Sequence, residues 1–178
     1  IMNYLKLSLL SILLIPALVF AHGPTPLKFN IEVEVNASPD EVWTMVNKLC
    51  SIKDWNESVT ECSATGEGLG AFRELTLDNG EVIKEELTKV QEDRKRMLTT
   101  LRVAEGKLIK GMPIKSMGSF LSVSENGSGS KVKIRGTAYS AFEGKSPPPD
   151  QTDAVCKAAV EEFHTKTLNG MKQLFEAK

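Results

Sequence analysis

The chain has 178 residues and a formal net charge of −1, from 22 Lys and Arg against 23 Asp and Glu. Its length predicts a single domain, large enough to bury a core without a structural metal or several disulfides. The balanced charge gives no basic field that would attract nucleic acid, and an aromatic content of 6% offers no ladder of rings on which bases could stack.

The N-terminal segment has the features of an export signal. A positive charge at Lys6 precedes a short apolar run that Pro16 interrupts, and the run ends in a small-x-small cleavage motif at Ala21. The run is too short for a helix that spans a bilayer. We therefore expect a signal peptide over 1–21, cleaved after Ala21, and a periplasmic mature protein that forms one domain over 22–178 without a membrane span.

The folded region begins with a strand and two short helices. Residues 29–35 alternate between apolar and polar side chains, as in a half-buried strand. The Ser-Pro-Asp-Glu sequence at 38–41 supplies an N-cap, a proline at the first helical position and a glutamate that closes a capping box. This helix should run to about Leu49, and a second short helical turn is expected over 50–55.

Six strand-like segments follow, and Gly- or Asn-rich breaks separate them. They are 58–65, 71–77, 81–91, 96–103, 114–124 and 130–141. The breaks at 78–80 (Asp-Asn-Gly) and 126–127 (Asn-Gly) are strong hairpin signals. Because short connections join antiparallel neighbours, these segments and the first strand predict one antiparallel sheet.

A long helix closes the chain. Three prolines at 147–149 end the preceding segment, and apolar residues recur with a helical period from Asp150 to Lys178. A helix of this length crosses a whole small domain. We therefore predict an α+β fold in which a curved, seven-stranded antiparallel sheet wraps around this helix, with a gap between them that could hold a small ligand.

Three local patterns, in their order along the chain, resemble one known superfamily. They are Asn-Ala-Ser-Pro-Asp-Glu-Val-Trp at 36–43, Lys-Asp-Trp at 53–55 and Gly-Ala-Phe-Arg-Glu-Leu at 70–75. The resemblance is to the START-like or SRPBCC superfamily, also called Bet v 1-like or polyketide cyclase/dehydrase-like, and it covers about residues 28–177. It implies a helix-grip fold with two short helices after the first strand.

Among exported members, the expected mature start at 22–26 (His-Gly-Pro-Thr-Pro) is similar to that of periplasmic accessory proteins of methylotrophs. This similarity implies a non-enzymatic protein without a cofactor that aids methanol oxidation by promoting the interaction of methanol dehydrogenase with its cytochrome c. Two alternatives are a carrier or sensor of a small hydrophobic ligand and a cyclase- or dehydratase-type enzyme. Many members have Trp-His-Pro where this chain has Trp-Asn-Glu at 55–57, which removes a histidine from the pocket rim.

Two charged residues share a strand face with apolar neighbours. By strand alternation, Arg73 lies on the same face of its strand as Leu75, and Glu85 on the same face as Leu87. Both charges should therefore lie under the long helix. A buried charge is expensive unless it is paired, so Arg73 and Glu85 should meet each other or a polar ligand, unless a strand twist turns one outward. The pair could also be purely structural. The candidate ligand-binding residues are Trp55, Arg73, Leu75, Glu85, Leu87, Met117 and Phe163.

The role of Trp55 and that of one inter-strand loop each have two interpretations. Trp55 follows a helix end and either lines the pocket mouth or packs in the core. The loop carries three lysines, Lys107, Lys110 and Lys115, which could dock an acidic protein partner around the apolar residues between them. Alternatively, the loop's apolar side chains at 109 and 112 fold inward and plug the pocket.

The three cysteines allow at most one internal disulfide in an oxidising compartment. Cys50 ends the first helical region, and Cys62 lies in the strand after the turn at Trp55, where the chain reverses direction. We predict a disulfide between Cys50 and Cys62 and a free, buried thiol at Cys156. The alternative is that all three are reduced.

The sequence contains neither a set of metal ligands nor a nucleophile paired with a base for hydrolysis. A free amine at His22 could help to chelate copper, but His164 is expected in mid-helix with its ring outward, so no metal site is predicted. Ser63 and Ser119 have no histidine at a spacing that would activate them, and no Gly-rich phosphate loop is present. The sequence therefore assigns no catalytic residue.

Overall fold

The computed structural model describes residues 24–177. The expected signal peptide over 1–21, its cleavage site after Ala21 and the N-terminal His22 lie outside the described residues. The helices and strands are β1 Leu27–Val35, α1 Pro39–Val46, a 3-10 helix Ser51–Asp54, β2 Val59–Ala64, β3 Phe72–Leu77, β4 Val82–Gln91, a 3-10 turn Glu92–Arg94, β5 Arg96–Arg102, β6 Ile114–Asn126, β7 Gly129–Ser140, a 3-10 turn Pro149–Gln151 and α2 Asp153–Glu176.

The strands form one antiparallel sheet of seven in the order β1-β7-β6-β5-β4-β3-β2. Strand β7 returns to pair with β1, so β1 and β2 are the two edges. Helix α2 packs on the inner face of the sheet and buries one side, on which Val160, Phe163, Leu168 and Met171 lie. The predicted helix-grip architecture, with its curved seven-stranded sheet and long C-terminal helix, is confirmed.

Local capping sets both ends of the first helix. At its start, Ser38 Oγ accepts from the Glu41 N–H at 3.3 Å, and the Ser38 N–H donates to Glu41 Oε2 at 3.0 Å, which completes the predicted capping box. At its end, α1 stops at Val46, three residues before the predicted Leu49. The Ser51 hydroxyl lies 2.6 Å from the carbonyl oxygens of Met45, in the last turn, and of Lys48, just after it, and so draws the chain into the 3-10 helix.

The long helix begins at Asp153, three residues after the predicted Asp150. The 3-10 turn Pro149–Gln151 begins with the last of the prolines instead, and of the two residues that the sequence offers as an N-cap, Asp150 and Thr152, it is Thr152 that caps the helix. Its hydroxyl accepts from the Val155 N–H at 3.3 Å. Proline fixes φ and restricts the residue before it, so a run of three prolines delays the first turn of the helix.

The turn at Trp55 is held against α2 by an unusually close backbone approach. A Cβ atom built on Gly170 would lie 1.6 Å from the Trp55 carbonyl oxygen, so only glycine fits at this point of α2. The buried Asn56 side chain donates at 2.7 Å to Oγ1 of Thr167, which lies one turn before Gly170 on α2. These two contacts fix the short helical segment at one end of the sheet.

The structure contains a disulfide between Cys50 and Cys62, and Cys156 is a free, buried thiol. The disulfide joins the start of the 3-10 helix Ser51–Asp54 to β2, the edge strand. Cys156 lies in the first turn of α2, and its Sγ is 3.0 Å from the Pro113 carbonyl oxygen. The disulfide and the Gly170 contact therefore hold the same segment from two sides.

Replacing Gly170 by Ala should destabilise the protein, although Ala is favoured over Gly in a helix by about 1 kcal/mol. The added methyl group would overlap the Trp55 carbonyl, and relieving that overlap should cost about 1–3 kcal/mol net. The free energy of unfolding from urea titration measures the effect. The control is Asn169→Ala, at the exposed neighbouring position, which should be neutral or slightly stabilising. Equal stability of G170A and the wild type would contradict the close approach.

Candidate functional site

The centre of the candidate site is an ion pair on the inner face of the sheet. Arg73 on β3 and Glu85 on β4 are direct cross-strand neighbours. Arg73 Nη2 lies 2.6 Å from Glu85 Oε2, and Arg73 Nε donates to the same oxygen at 2.7 Å. The Glu85 side chain is 2% exposed and that of Arg73 is 12% exposed. Both charges lie on the face that the strand alternation predicts.

Further polar groups surround the ion pair. Arg73 Nη1 donates to the Leu49 carbonyl at 2.8 Å, so the guanidinium also fastens the segment after α1 to the sheet. On the other side, Thr99 Oγ1 donates a long hydrogen bond of 3.5 Å to Glu85 Oε1. A charged pair that is desolvated and supported in this way is held in one geometry.

Sequence reasoning was wrong about His164 and missed its partner. The imidazole is 4% exposed, not outward, and its Nε2 lies 3.1 Å from Ser119 Oγ on β6. The ring also stacks on Phe29, with the ring centroids 4.9 Å apart. The available signal was the spacing on α2 from Val160 to His164 and on to Met171, which places His164 on the buried side among the apolar residues.

Burial lowers the pKa of His164 to about 4, because a charged imidazolium would be desolvated. The nearby Glu85 carboxylate opposes this shift of the pKa, and the Arg73 guanidinium adds to it. The imidazole is therefore neutral at neutral pH. Its Nδ1 is buried without a hydrogen-bond partner among the described residues, so no carboxylate orients the ring as in a catalytic triad.

The space behind α2 is nearly filled. A cavity of about 40 Å³ remains between the ion pair and the helix. Its polar lining residues are Trp55, Arg73, Thr99, Ser119, His164 and Thr167. Such a volume holds about one or two water molecules, whereas pockets for larger ligands measure about 300–1,000 Å³.

The predicted ligand-binding residues separate into two groups. Trp55, Arg73 and Phe163 line the cavity. Leu75, Leu87, Met117 and Glu85 are buried, between 0% and 2% exposed, and are not part of that lining. The indole Nε1 of Trp55 is buried without a partner among the described residues, and the tryptophan itself is 7% exposed. Trp55 thus combines the two interpretations of the sequence, since it packs in the core and borders the cavity.

Asn56, which sequence reasoning treated only as a departure from Trp-His-Pro, is a structural residue. It is fully buried, its Oδ1 accepts from the Ser58 N–H at 2.9 Å, and its Nδ2 bonds Thr167 on α2. Because every one of these partners is internal, the amide closes the turn and does not face a ligand. A polar residue directly after the buried Trp55 was the signal that could have identified it.

The loop with the three lysines folds partly inward. Ile109 and Met112 are buried at 5% and 4% exposure, so they fold inward as the second interpretation expected, but neither lines the interior cavity. Lys115 forms an ion pair with Glu143, and the Lys110 carbonyl accepts from Asn79 Nδ2 at 2.9 Å. The lysine side chains themselves are exposed.

Lys107 borders a surface groove of about 390 Å³, which we call the loop groove. The groove lies between the start of β4, the end of β5 and the loop, and Val82 and Leu108 in it are 55% and 44% exposed. The basic residues around these apolar side chains are Lys84, Arg102 and Lys107, against one carboxylate, that of Glu81, and Lys84 also pairs with Glu74 at 3.3 Å. An apolar surface with a basic rim is complementary to an acidic protein surface.

Neither a metal centre nor a membrane helix is found in residues 24–177. No group of three or more His, Cys, Asp or Glu side chains there could hold a metal ion. In the same part of the chain, no helix is long and apolar enough to cross a bilayer.

Comparison with known proteins identifies relatives of this fold. A family model described as polyketide cyclase / dehydrase and lipid transport matches residues 26–176. The solved structure of XoxI from Bacillus cereus is similar with a TM-score of 0.68 and 21% identity, and the match covers 83% of this chain and 94% of that one. A protein from Nitrosospira multiformis has a TM-score of 0.63 and 19% identity, with 83% and 95% covered.

A further similar structure is that of Ara h 8.0201, with a TM-score of 0.63, 14% identity and 85% and 98% of the two chains covered. At these identities the likeness extends to the fold alone. Curated proteins gave no match.

Replacing Glu85 by Gln should lower the free energy of unfolding by about 3–5 kcal/mol, because the Arg73 charge would remain in the interior without its counter-charge. The matched control is Glu74→Gln in the same hairpin. Glu74 pairs with Lys84 at 3.3 Å with both side chains about half exposed, and such a pair contributes about 0–1 kcal/mol. Urea unfolding of both variants gives the comparison. If E85Q unfolds at the wild-type urea concentration, the ion pair does not stabilise the fold.

The free energy of unfolding should decrease as the pH is lowered from 6.5, the ordinary His pKa, to about 4, the pKa of His164 in the folded protein. In this window the unfolded chain binds a proton that the folded chain excludes, so acid favours unfolding, by up to roughly 3 kcal/mol. The variant His164→Gln removes the group that binds this proton. Its free energy of unfolding should therefore decrease less than that of the wild type as the pH is lowered. Parallel pH profiles for the wild type and H164Q would show that His164 is not buried in its neutral form.

Proposed function

Since this chain belongs to the polyketide cyclase / dehydrase and lipid transport family, we propose that it uses the family's fold as a rigid platform for protein contacts and not for catalysis. The observation that carries this proposal is the nearly filled interior, with about 40 Å³ of space behind α2. An accessory protein needs no ligand cavity, because its activity depends on the surfaces that it presents to its partners.

We assign the protein to the periplasm, as an accessory protein of the MxaD type. Its partners are methanol dehydrogenase and its cytochrome c, and its role is to promote their interaction. The support comes from the signal peptide that the sequence predicts over 1–21 and from the resemblance at 22–26. The disulfide between Cys50 and Cys62 agrees with an oxidising compartment.

The interior supports the two alternative functions less well. A carrier of a hydrophobic ligand needs a roomy apolar cavity, whereas this one has room for about one or two waters, and six of its twelve lining residues are polar. An enzyme needs an accessible acid or base. The Ser119–His164 pair is buried, and Nδ1 of that histidine has no orienting partner among residues 24–177.

The loop groove is the surface that we assign to contact with one of the two partners, methanol dehydrogenase or its cytochrome c. Val82 and Leu108 provide exposed apolar area, and Lys107 and Arg102 provide positive charge beside it. The chain as a whole is nearly neutral, so this local charge does not follow from a basic protein. Charged rims of this kind raise the association rate with an acidic partner more than they raise the final affinity.

Reversal of the loop's charge should slow association with an acidic partner. We expect the triple variant Lys107→Glu, Lys110→Glu, Lys115→Glu to associate with purified methanol dehydrogenase or cytochrome c at least tenfold more slowly than the wild type at low ionic strength. The difference should shrink at high salt, because salt screens exposed charges. Surface plasmon resonance with the immobilised full mature chain measures both association rates.

The control for this experiment is Lys53→Glu, which reverses an exposed charge in the 3-10 helix outside the loop groove. It should leave the association rate unchanged. An unchanged rate in the triple variant would exclude the loop as the docking surface. The absence of both proteins from a pull-down with periplasmic extract, analysed by mass spectrometry, would overturn the proposed function itself.

A further inference from the structure

The outer face of the sheet carries a second open groove, which also reaches Lys157 and Glu161 of α2. Its volume is about 890 Å³, and strands β1, β5, β6 and β7 form most of it. We call it the outer groove. Its apolar floor consists of Leu98, Gly118 and Phe120, and the basic residues Lys28 and Arg135 stand beside that floor. It shares no lining residue with the loop groove or with the interior cavity.

Two glycines on neighbouring strands shape the floor. Gly136 faces inward, and a Cβ atom on it would lie 1.9 Å from the Gly118 carbonyl oxygen, so β6 and β7 approach closely here. Gly118 faces outward by strand alternation. A Cβ atom on Gly118 would meet only Leu98 Cδ1, at 3.9 Å. The missing side chain therefore leaves an open notch in the outer face, with room for a side chain from elsewhere.

The charge beside the notch is mostly positive. The outer groove is lined by Lys28, Lys133, Arg135 and Lys157, against a single carboxylate, that of Glu161. Lys133 is partly neutralised by Glu32 at 2.9 Å, and Lys157 by Glu161 at 3.7 Å. Lys28 and Arg135 form no ion pair with any described residue.

Arg135 is also placed by an aromatic ring. Its guanidinium carbon lies 5.2 Å from the centre of the Phe120 ring, which holds the positive charge above the apolar floor. An arginine stacked in this way keeps its hydrogen-bond donors free, so it can still bind a carboxylate.

We propose that the outer groove binds an acidic segment of a protein partner, with one apolar side chain of that segment in the Gly118 notch. The unpaired charges of Lys28 and Arg135 select for carboxylates, and the floor around Phe120 selects for an apolar side chain over a free anion. The inference rests on the proposed function in one respect: a protein that brings two others together needs two separate docking surfaces, and the outer groove is the second.

The test uses the full mature chain and a defined probe. The probe is a short synthetic peptide of Asp and Glu with one Phe and one Leu, and the matched peptide has Asn and Gln in place of the acids. We expect backbone amide shifts in NMR spectra to cluster at Gly118, Phe120 and Arg135 with the acidic peptide, and to weaken with added salt. The matched amide peptide should bind at least tenfold more weakly.

Two variants separate the contributions of shape and charge. Gly118→Phe fills the notch from the solvent side, and Arg135→Glu reverses the charge at its edge. Each should weaken binding of the acidic peptide by about tenfold. Arg94→Glu, which reverses an exposed arginine in the turn Glu92–Arg94, should bind like the wild type. Because Arg135 is exposed, R135E keeps the test informative if G118F does not fold.

Three outcomes would overturn the inference. They are amide shifts away from the outer groove, equal binding of the two peptides, and binding of anionic phospholipid vesicles in place of the acidic peptide. None of them depends on methanol dehydrogenase or its cytochrome c. Peptide binding at the outer groove together with a negative pull-down would leave the groove intact and reject the proposed partners.

Discussion

The interior of this protein depends on the buried ion pair between Arg73 and Glu85. The pair joins β3 to β4, and the free end of the guanidinium holds the Leu49 carbonyl at 2.8 Å. One contact thus links the sheet to the segment that carries Trp55 and the disulfide. Its two charges act in opposite directions on the pKa of His164, so the interior polar groups are coupled through it. Loss of either charge alone would leave the other buried and uncompensated, so the interior depends on both.

The fold was readable from the sequence because each element has a clear period. Alternation in the strands placed Arg73 and Glu85 on one face, and the hairpin between them made them direct neighbours. The spacing on α2 places His164 on the buried side, but no local pattern identifies its partner Ser119, which is 45 residues away. In the same way, the position after Trp55 points to a structural role for Asn56, whereas its partner Thr167 lies far along the chain.

The grooves could not be predicted, because each is formed by residues from separate strands. The loop groove needs the start of β4 beside the end of β5, and the outer groove needs β1, β6 and β7 in register. Sequence reasoning found Lys107 but had no means to find Val82 or Arg102 beside it. In this chain the core follows from local periodicity, whereas the surfaces follow from topology, so a fold assignment alone leaves the function open.

The disulfide has a consequence for the solubility of the chain. It attaches Cys62 of β2, an edge strand, to the 3-10 helix Ser51–Asp54. An edge strand presents unpaired N–H and C=O groups to which another chain can add a strand, and natural sheets cover or restrain such edges. Reduction of this bond frees the β2 edge to move away from the helix. The same sequence in a reducing compartment would therefore be more prone to edge-to-edge aggregation, while its core remained unchanged.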